Sequence, residues 1–529
     1  MRSWFFTLLC ATLFISELVH AKLTLTQFQS PPKLVVVIVI DQFRADYLTR
    51  FKDKFIKPKT KGEIGGFQFL MSEGAYYPFA EYDVLQSMTC PGHAMISTGS
   101  YPVMMGIPLN DWYDRKTKKM RYCAEDDEFG ISPRALKTTT VGDELKNAGY
   151  KSKVIGIALK DRSAVMLAGH RADLALWMDY KTFTWRTSDY YTKNLPPWVL
   201  GLNKKLQADA TTEKTWSATG PGNGLSDTNS TGFQKKFKPN TKLGLSLNYG
   251  VQVSFDAATE ALKSENLGHG PATDILALSL STHDMLGHLF GPNAREVEEL
   301  TIYEDQQIAK FLKTLKKHMG SSFKDVVVVL TADHGVAPST DYAQKSKLSS
   351  GKLDYLDLYK KIYSHLNNKF GTSSKGEWIA ASHSFQFYIN QVVLDEKKLK
   401  KADVEKEFQI ALQDLPGVFA VATASDIQNG QYPPGFLAEQ LKKQYIPGIS
   451  GDVIIIPRPF FMEKDENFAT HMTGFSYDRM VPLVLFGKNI QPAVHPEQVH
   501  IVDLAPTLSF LLGVLPPATS SGRVLKEIF

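Results

Sequence analysis

The sequence predicts an α/β fold, a doubly wound and mainly parallel sheet with helices on both faces and inserted segments beside it. Three observations carry that expectation. Unbroken β-branched runs recur along the chain, helical patterns separate them, and aspartates and histidines follow the runs directly. A strand covered on both faces by crossover helices reads as a continuous apolar run, whereas a half-exposed strand alternates.

The first run, 33–40, is KLVVVIVI. The theme returns at 153–157 (KVIGI), 274–280 (DILALSL), 325–330 (DVVVVL) and 481–486 (VPLVLF). Between these, 292–319 places Val297, Leu300, Ile308, Phe311, Leu312 and Leu315 on one stripe at helical spacing. Residues 141–147 and 260–267 are weaker helical candidates. Strands alternating with helices imply the doubly wound arrangement. Two stretches break the rhythm. Residues 177–242 are rich in aromatics and then in Gly, Ser, Thr and Asn, and 337–452 separate two core runs by more chain than a crossover needs. Residues 22–529 therefore read as one catalytic domain with insertions at about 177–242 and 337–452, expected to form a cap. Asn229-Ser230-Thr231 fits a glycosylation acceptor, a triplet that also arises by chance in polar loops.

Composition narrows the partners. A chain that is 43% hydrophobic and 22% charged has ample material for a large core. A net charge of +5 over 529 residues, with Lys and Glu interspersed, argues against nucleic-acid binding. The run KTLKK at 313–317 reads as a solvated helix face. At the N-terminus, Arg2, an apolar segment at 4–15 and Val19-His20-Ala21 form a secretory signal peptide cleaved after Ala21. That segment is too short to span a bilayer, and the bulky Leu9 before Cys10 disfavours a lipoprotein. A periplasmic or secreted location without stable membrane insertion is expected. Cleavage leaves Cys90 and Cys123, which an oxidising compartment allows to pair. Two free buried thiols are an equal alternative.

Polar residues cluster where the runs end. Asp41 follows the first run, Asp284 and His288 (STHDMLGH) follow the 274–280 run, and Asp333-His334 (TADHG) follow the 325–330 run. Ligands of open α/β sheets bind at the carboxyl ends of strands, and Asp and His are the usual oxygen and nitrogen donors to zinc. Each residue alone reads equally as a turn former or a helix neighbour; their common placement points to a metal centre. Thr89 lies in QSMTCPGHAMISTG, where Pro91 suits a first helical turn. An anion is favoured there, and a metal-activated hydroxyl can act as nucleophile. From the residues alone, Thr89 reads first as a helix cap. His93, Arg44 and Asp46 read as supporting residues.

These residues fall within longer strings: VVVIVIDQFRADYL, SMTCPGHAMISTG, GIPLNDWYD, ALKDRSAV, STHDMLGH, TADHG and ATHMTGFSYD. In this order they resemble the alkaline phosphatase superfamily, most closely its PafA-type phosphate-monoester phosphatases, over about 33–480. The tail IVDLAPTLSFLLGVLPP resembles the superfamily's closing helix and turn. The resemblance implies two zinc ions, one held by Asp284, His288 and His471, the other by Asp41, Thr89, Asp333 and His334. It implies hydrolysis of small phosphate monoesters through a phospho-threonine on Thr89, with broad phosphate scavenging as the role. Only the resemblance singles out His471, and the family more often has a small residue where this chain has Met472.

The alternative is a phosphodiesterase or nucleotide pyrophosphatase on the same scaffold. A monoester carries nearly two negative charges and needs extra donors over its phosphoryl oxygens. Asn110, Lys160 and Arg162 match the positions that the resemblance assigns to that task. Lys160 and Arg162 alternate with Asp161 and would point to one side of an extended segment. Without the resemblance they read as a solvated turn. Sulfatase chemistry is disfavoured because Pro91 directly follows Cys90 with no arginine next, and a cytosolic mutase because of the export signal.

Overall fold

A computed structural model describes residues 30–60, 62–219 and 232–529. The expected signal peptide and the Asn229-Ser230-Thr231 triplet lie outside these described residues. Ten strands form the main sheet: β1 (Leu34–Ile40), β2 (Ala75–Glu81), β3 (Val154–Ala158), β4 (Leu174–Asp179), β5 (Thr184–Arg186), β6 (Asp274–Leu280), β7 (Val326–Thr331), β8 (Met480–Gly487), β9 (Ala493–Val494) and β10 (Val499–His500). Their order is β9-β2-β8-β7-β1-β6-β3-β4-β5, with β10 also beside β2.

The five neighbours β7-β1-β6-β3-β4 are parallel. Every residue of β1, β6 and β7 is buried. At about 1.5–3 kcal/mol for each fully buried Val, Leu or Ile, this centre is a rigid platform. The run expected to continue the parallel theme at 481–486 departs from it: β8 is antiparallel to both β7 and β2. A fully buried run looks the same in either direction, so periodicity carries no information on polarity.

The principal helices are α1 (Thr89–Thr98), α2 (Val141–Asn147), α3 (Asp161–Ala168), α4 (Asn248–Ser264), α5 (Thr282–Phe290) and α6 (Arg295–Met319). Thr140 and Asp143 form a reciprocal capping box that starts α2. Helix α4 begins well before the expected 260–267, because its buried face uses Gly250, Ser254, Ala257 and Ala258, which dilute the apolar stripe.

The first stretch read as an insertion begins inside β4. It contains β5, a helix over Pro197–Asp209 and a hairpin pairing Lys214–Thr219 with Gly232–Phe237. The second builds its own antiparallel sheet from Ile379–His383, Gln386–Ile389, Val453–Pro457 and Val418–Thr423, in that spatial order. Trp378, Phe387, Phe408 and Ile455 pack a separate apolar core there. Val453–Pro457 pairs on both sides within this sheet, so the sheet extends past residue 452.

Candidate metal centre and active site

Four adjacent parallel strands deliver polar residues to one edge. Register aligns the strand ends, with Ile40 beside Leu280, Val39 beside Thr331, and Ser279 beside Ala158. Asp41 directly follows β1, Asp333 and His334 follow β7, Lys160 follows β3, and α5 after β6 carries Asp284 and His288 one turn apart. All six are buried or nearly so. His471 comes from the loop before β8.

Two donor groups result. In one, the Nε2 atoms of His288 and His471 lie 3.1 and 3.7 Å from Oδ1 of Asp284. In the other, Nε2 of His334 lies 3.4 Å from Asp41 Oδ1, 3.4 Å from Asp333 Oδ2 and 3.5 Å from Thr89 Oγ1. Donors bonded at about 2.0–2.2 Å to a tetrahedral divalent ion such as zinc stand about 3.3–3.6 Å apart, so both groups fit one.

The imidazoles are oriented for that purpose. Nδ1 donates to the carbonyl of Ala469 in His288, of Gly335 in His334 and of Ser87 in His471, at 2.9, 2.9 and 2.7 Å. Each bond fixes the tautomer and turns the Nε2 lone pair into the cluster. Asp41 Oδ1 and Asp333 Oδ2 are buried acceptors with no hydrogen-bond donor. A satisfied core would not leave them so, but a metal ligand set would.

Charge completes the fit. Lys160 Nζ bridges Asp41 Oδ2 at 2.6 Å and Asp284 Oδ2 at 2.5 Å, one carboxylate from each group. Two of the three buried carboxylates thus share one ammonium, leaving negative charge for added cations to offset. Burial pushes the Asp41 carboxyl well above its usual range, and Asp333 adds to this against the pull of Lys160. Burial also works on Asp284, but His288 and Lys160 outweigh it and hold that group well below its usual range. His471 is pushed far down by burial and then by His334 and His288, which keeps it neutral and able to ligate.

Thr89 is the first residue of α1 and not its cap. The capping position is Met88, whose side chain makes no capping bond, so the Thr89 hydroxyl is turned to the metal group. Gly92 permits this approach, since a Cβ there would meet the Asp333 carbonyl oxygen at 2.4 Å. The next amide, Cys90 N–H, donates to Asn110 Oδ1 at 2.8 Å. A backbone N–H can only donate, so the oxygen of Asn110 is identified and its NH2 is left to give.

A disulfide joins Cys90 to Cys123, and Cys123 N–H donates to Asn110 O at 2.9 Å. This answers the question of free thiols and pins the Asn110 segment to α1. The bond encloses a loop of sequence separation 33, for which the chain-entropy model gives about 3–4 kcal/mol. Reduction, or the Cys90→Ser/Cys123→Ser pair, should cost on that order of stability in denaturant melts. It should also raise KM as Asn110 loosens; unchanged melts and KM would contradict this role.

Comparison with known proteins places the architecture. The sequence pattern described as Type I phosphodiesterase / nucleotide pyrophosphatase matches residues 35–465. The chain belongs to that family. It is similar to alkaline phosphatase PafA of Elizabethkingia meningoseptica, 32% identical, with 94% of each chain covered. A relative from Myroides odoratus named calcium-transporting ATPase is also 32% identical, again covering 94% of both chains. A crystal structure of wild-type alkaline phosphatase PafA superposes with a TM-score of 0.83 at 31% identity, covering 94% of this chain and 99% of that one. A solved variant of PafA is altered at a threonine, an asparagine, a lysine and an arginine.

Within this PafA-like member, the structure brings Asp41, Thr89, Asp284, His288, Asp333, His334 and His471 together, with Lys160 bridging and Asn110 beside Cys90. Arg162 faces the same cleft as Lys160 and His288, its Nη1 3.4 Å from the Tyr122 hydroxyl. The extended segment expected for Lys160–Arg162 is absent: Lys160 is the N-cap of α3, and Arg162 stands in its first turn. His93 lies within donor distance of Asp41 and Asp333, but both its ring nitrogens are already engaged. Its Nδ1 donates to Thr89 O at 2.8 Å and lies 3.2 Å from Asp333 Oδ2, while Nε2 pairs with Ser279 Oγ.

Two further residues contribute, and of these the sequence marked only Met472, as a departure from the family pattern. Gln42 adopts a left-handed backbone, φ 66°, which aims its N–H at Asp333 Oδ1 (3.0 Å) and its Nε2 at Asp284 Oδ1 (2.7 Å). It thereby ties the two carboxylate groups to β1, and no glycine marks the turn. Met472 has φ 109°, a conformation that favours glycine. Its side chain packs with Met88 and Leu109, linking the His471 loop to the start of α1.

Proposed function

We propose that this chain is an exported, two-zinc alkaline phosphatase that hydrolyses small phosphate monoesters through a phospho-threonine on Thr89. The observation that carries the reading is the Thr89 hydroxyl, turned away from its own helix and into a carboxylate–imidazole group beside Lys160 and Asn110. Asp284, His288 and His471 would hold one ion, and Asp41, Asp333, His334 and Thr89 the other. Bound there, the ions would supply positive charge for the attacking and departing oxygens.

The chain's own groups do the rest. Thr89 Oγ attacks phosphorus in line with the ester oxygen; the alcohol leaves and a phospho-threonine forms. Water then attacks phosphorus from the vacated side, freeing the threonine and inorganic phosphate. Lys160 uses two of its three N–H donors on Asp41 and Asp284, so the third is left for a phosphoryl oxygen. The Asn110 NH2 and the Arg162 fork add further donors. Charge placement of this kind suits a loose transition state with charge spread over the phosphoryl oxygens. The altered residues of the PafA variant support the assignment: Thr, Asn, Lys and Arg recur here as Thr89, Asn110, Lys160 and Arg162. The first and last pairs have the same sequence intervals.

The rival is diester hydrolysis, which the family description also names. Comparing p-nitrophenyl phosphate with bis-p-nitrophenyl phosphate decides it. We expect kcat/KM to favour the monoester by about 100-fold or more, since each charge-assisted donor contributes about 1.5–3 kcal/mol. A ratio favouring the diester would overturn the proposal. The transport name of the Myroides relative falls within the same chemistry as far as hydrolysis goes, because the terminal phosphoryl group of ATP carries a similar charge. Export rests on Arg2, the apolar segment and Val19-His20-Ala21. Fractionation of the full-length chain should find a mature N-terminus at Lys22 outside the cytoplasm, and an uncleaved cytoplasmic chain would refute export.

A further inference from the structure

Beside the metal centre lies a cavity of about 1020 Å3, larger than a phosphoryl group needs. Lys160, Arg162 and His288 close one end. Its wall presents Tyr180, Leu243 and Leu289, which are 43%, 41% and 48% exposed. Large apolar side chains left in solvent together beside a polar cluster mark a binding surface. Tyr180 occupies the turn between β4 and β5. Its hydroxyl lies 4.0 Å from Sδ of Met285, which sits in α5 between Asp284 and His288. Leu243 belongs to the short helix Lys242–Leu245, which begins where the stretch read as the first insertion ends. The inserted chain and the short helix that follows it therefore contribute an aromatic and an aliphatic side chain to one wall of this cavity.

We propose that this cavity is a leaving-group pocket selecting phosphate monoesters whose alcohol is a bulky planar aromatic, with Tyr180 and Leu243 as the discriminating residues. The inference rests on the phosphatase reading and adds the substrate class. A phosphoryl group seated against Lys160, Arg162 and the metal ligands points its ester oxygen into the cavity. A flat ring then covers the apolar wall, offset or edge-on to Tyr180. A short alkyl alcohol would not reach it.

The test measures kcat/KM of the zinc-loaded full chain for 1-naphthyl phosphate and ethyl phosphate, in wild type, Tyr180→Ala, Tyr180→Phe and Leu243→Ser. Comparing variants on the same ester cancels the leaving groups' different intrinsic reactivities. Tyr180→Ala should lower the naphthyl value about five- to tenfold, mainly through KM, and Leu243→Ser should lower it in the same direction. Ethyl phosphate should change less than about twofold, and Tyr180→Phe should keep the preference because it keeps the ring. Equal losses on both esters, or no loss on either, would overturn the pocket. If wild type hydrolyses neither ester, the phosphatase reading fails instead. Calorimetric binding of 1-naphthyl phosphate then judges the pocket alone: weaker binding by Tyr180→Ala supports it, and equal binding refutes it.

Discussion

Thr89→Ala should lower phosphatase kcat by on the order of 10⁴-fold or more while zinc content and thermal stability stay near wild type. The size follows from removing the attacking oxygen while leaving the cations and donors that stabilise the phosphoryl group. The spared stability follows from the geometry. Thr89 holds the first helical position, its hydroxyl caps no backbone group, and alanine is well suited to a helix. Three protein donors, Asp41, Asp333 and His334, remain for the ion that would lose Thr89. Thr89→Ser should keep the covalent route, and acid-quenched enzyme given labelled substrate should carry phosphate in Thr89→Ser but none in Thr89→Ala. Residual activity within tenfold of wild type would remove Thr89 from the chemistry.

The second large effect is expected from Lys160→Ala with Arg162→Ala. Two charge-assisted donors at about 1.5–3 kcal/mol each correspond to a loss of about 10²–10⁴-fold in monoester kcat/KM. A diester has one fewer negative charge, so its hydrolysis should fall less than about tenfold and the monoester preference should collapse. Lys160 also neutralises Asp41 and Asp284 in the structure, which makes the metal content of this variant informative. Zinc bound at wild-type stoichiometry with collapsed preference assigns the residues to the phosphoryl group. Lost zinc with an unchanged preference among residual activities would make Lys160 a support for the carboxylates.

The contrast between readable and unreadable features has a physical pattern. Strands β1, β6 and β7 were legible because burial on both faces demands unbroken apolar sequence, and Asp284 and His288 because four residues make about one helical turn. Strand polarity was not, since β8 has the same apolar content whichever way it runs. The N-cap role of Lys160 was hidden because nothing in its side chain signals a cap; it makes no capping bond, and its ammonium is drawn to Asp41 and Asp284 instead. Gln42 was invisible for a related reason: its left-handed backbone is imposed by contacts to Asp333 and Asp284 that are 291 and 242 residues away in sequence. Local propensity cannot report a conformation that distant partners enforce. His471 needed the family resemblance, since only the folded chain shows its Nδ1 on Ser87 O and its ring stacked on His334 at 3.6 Å.

The central claim is that separate strand ends converge on a pair of ions with Thr89 touching one of them. Anomalous diffraction at the zinc edge, on crystals of the full chain grown with zinc and soaked with vanadate, reads this directly. The account predicts two peaks about 3.5–4 Å apart, one enclosed by Asp284, His288 and His471, the other by Asp41, Asp333 and His334, with Thr89 Oγ bonded to vanadium between them. A single peak, or vanadate held away from Thr89, would contradict it.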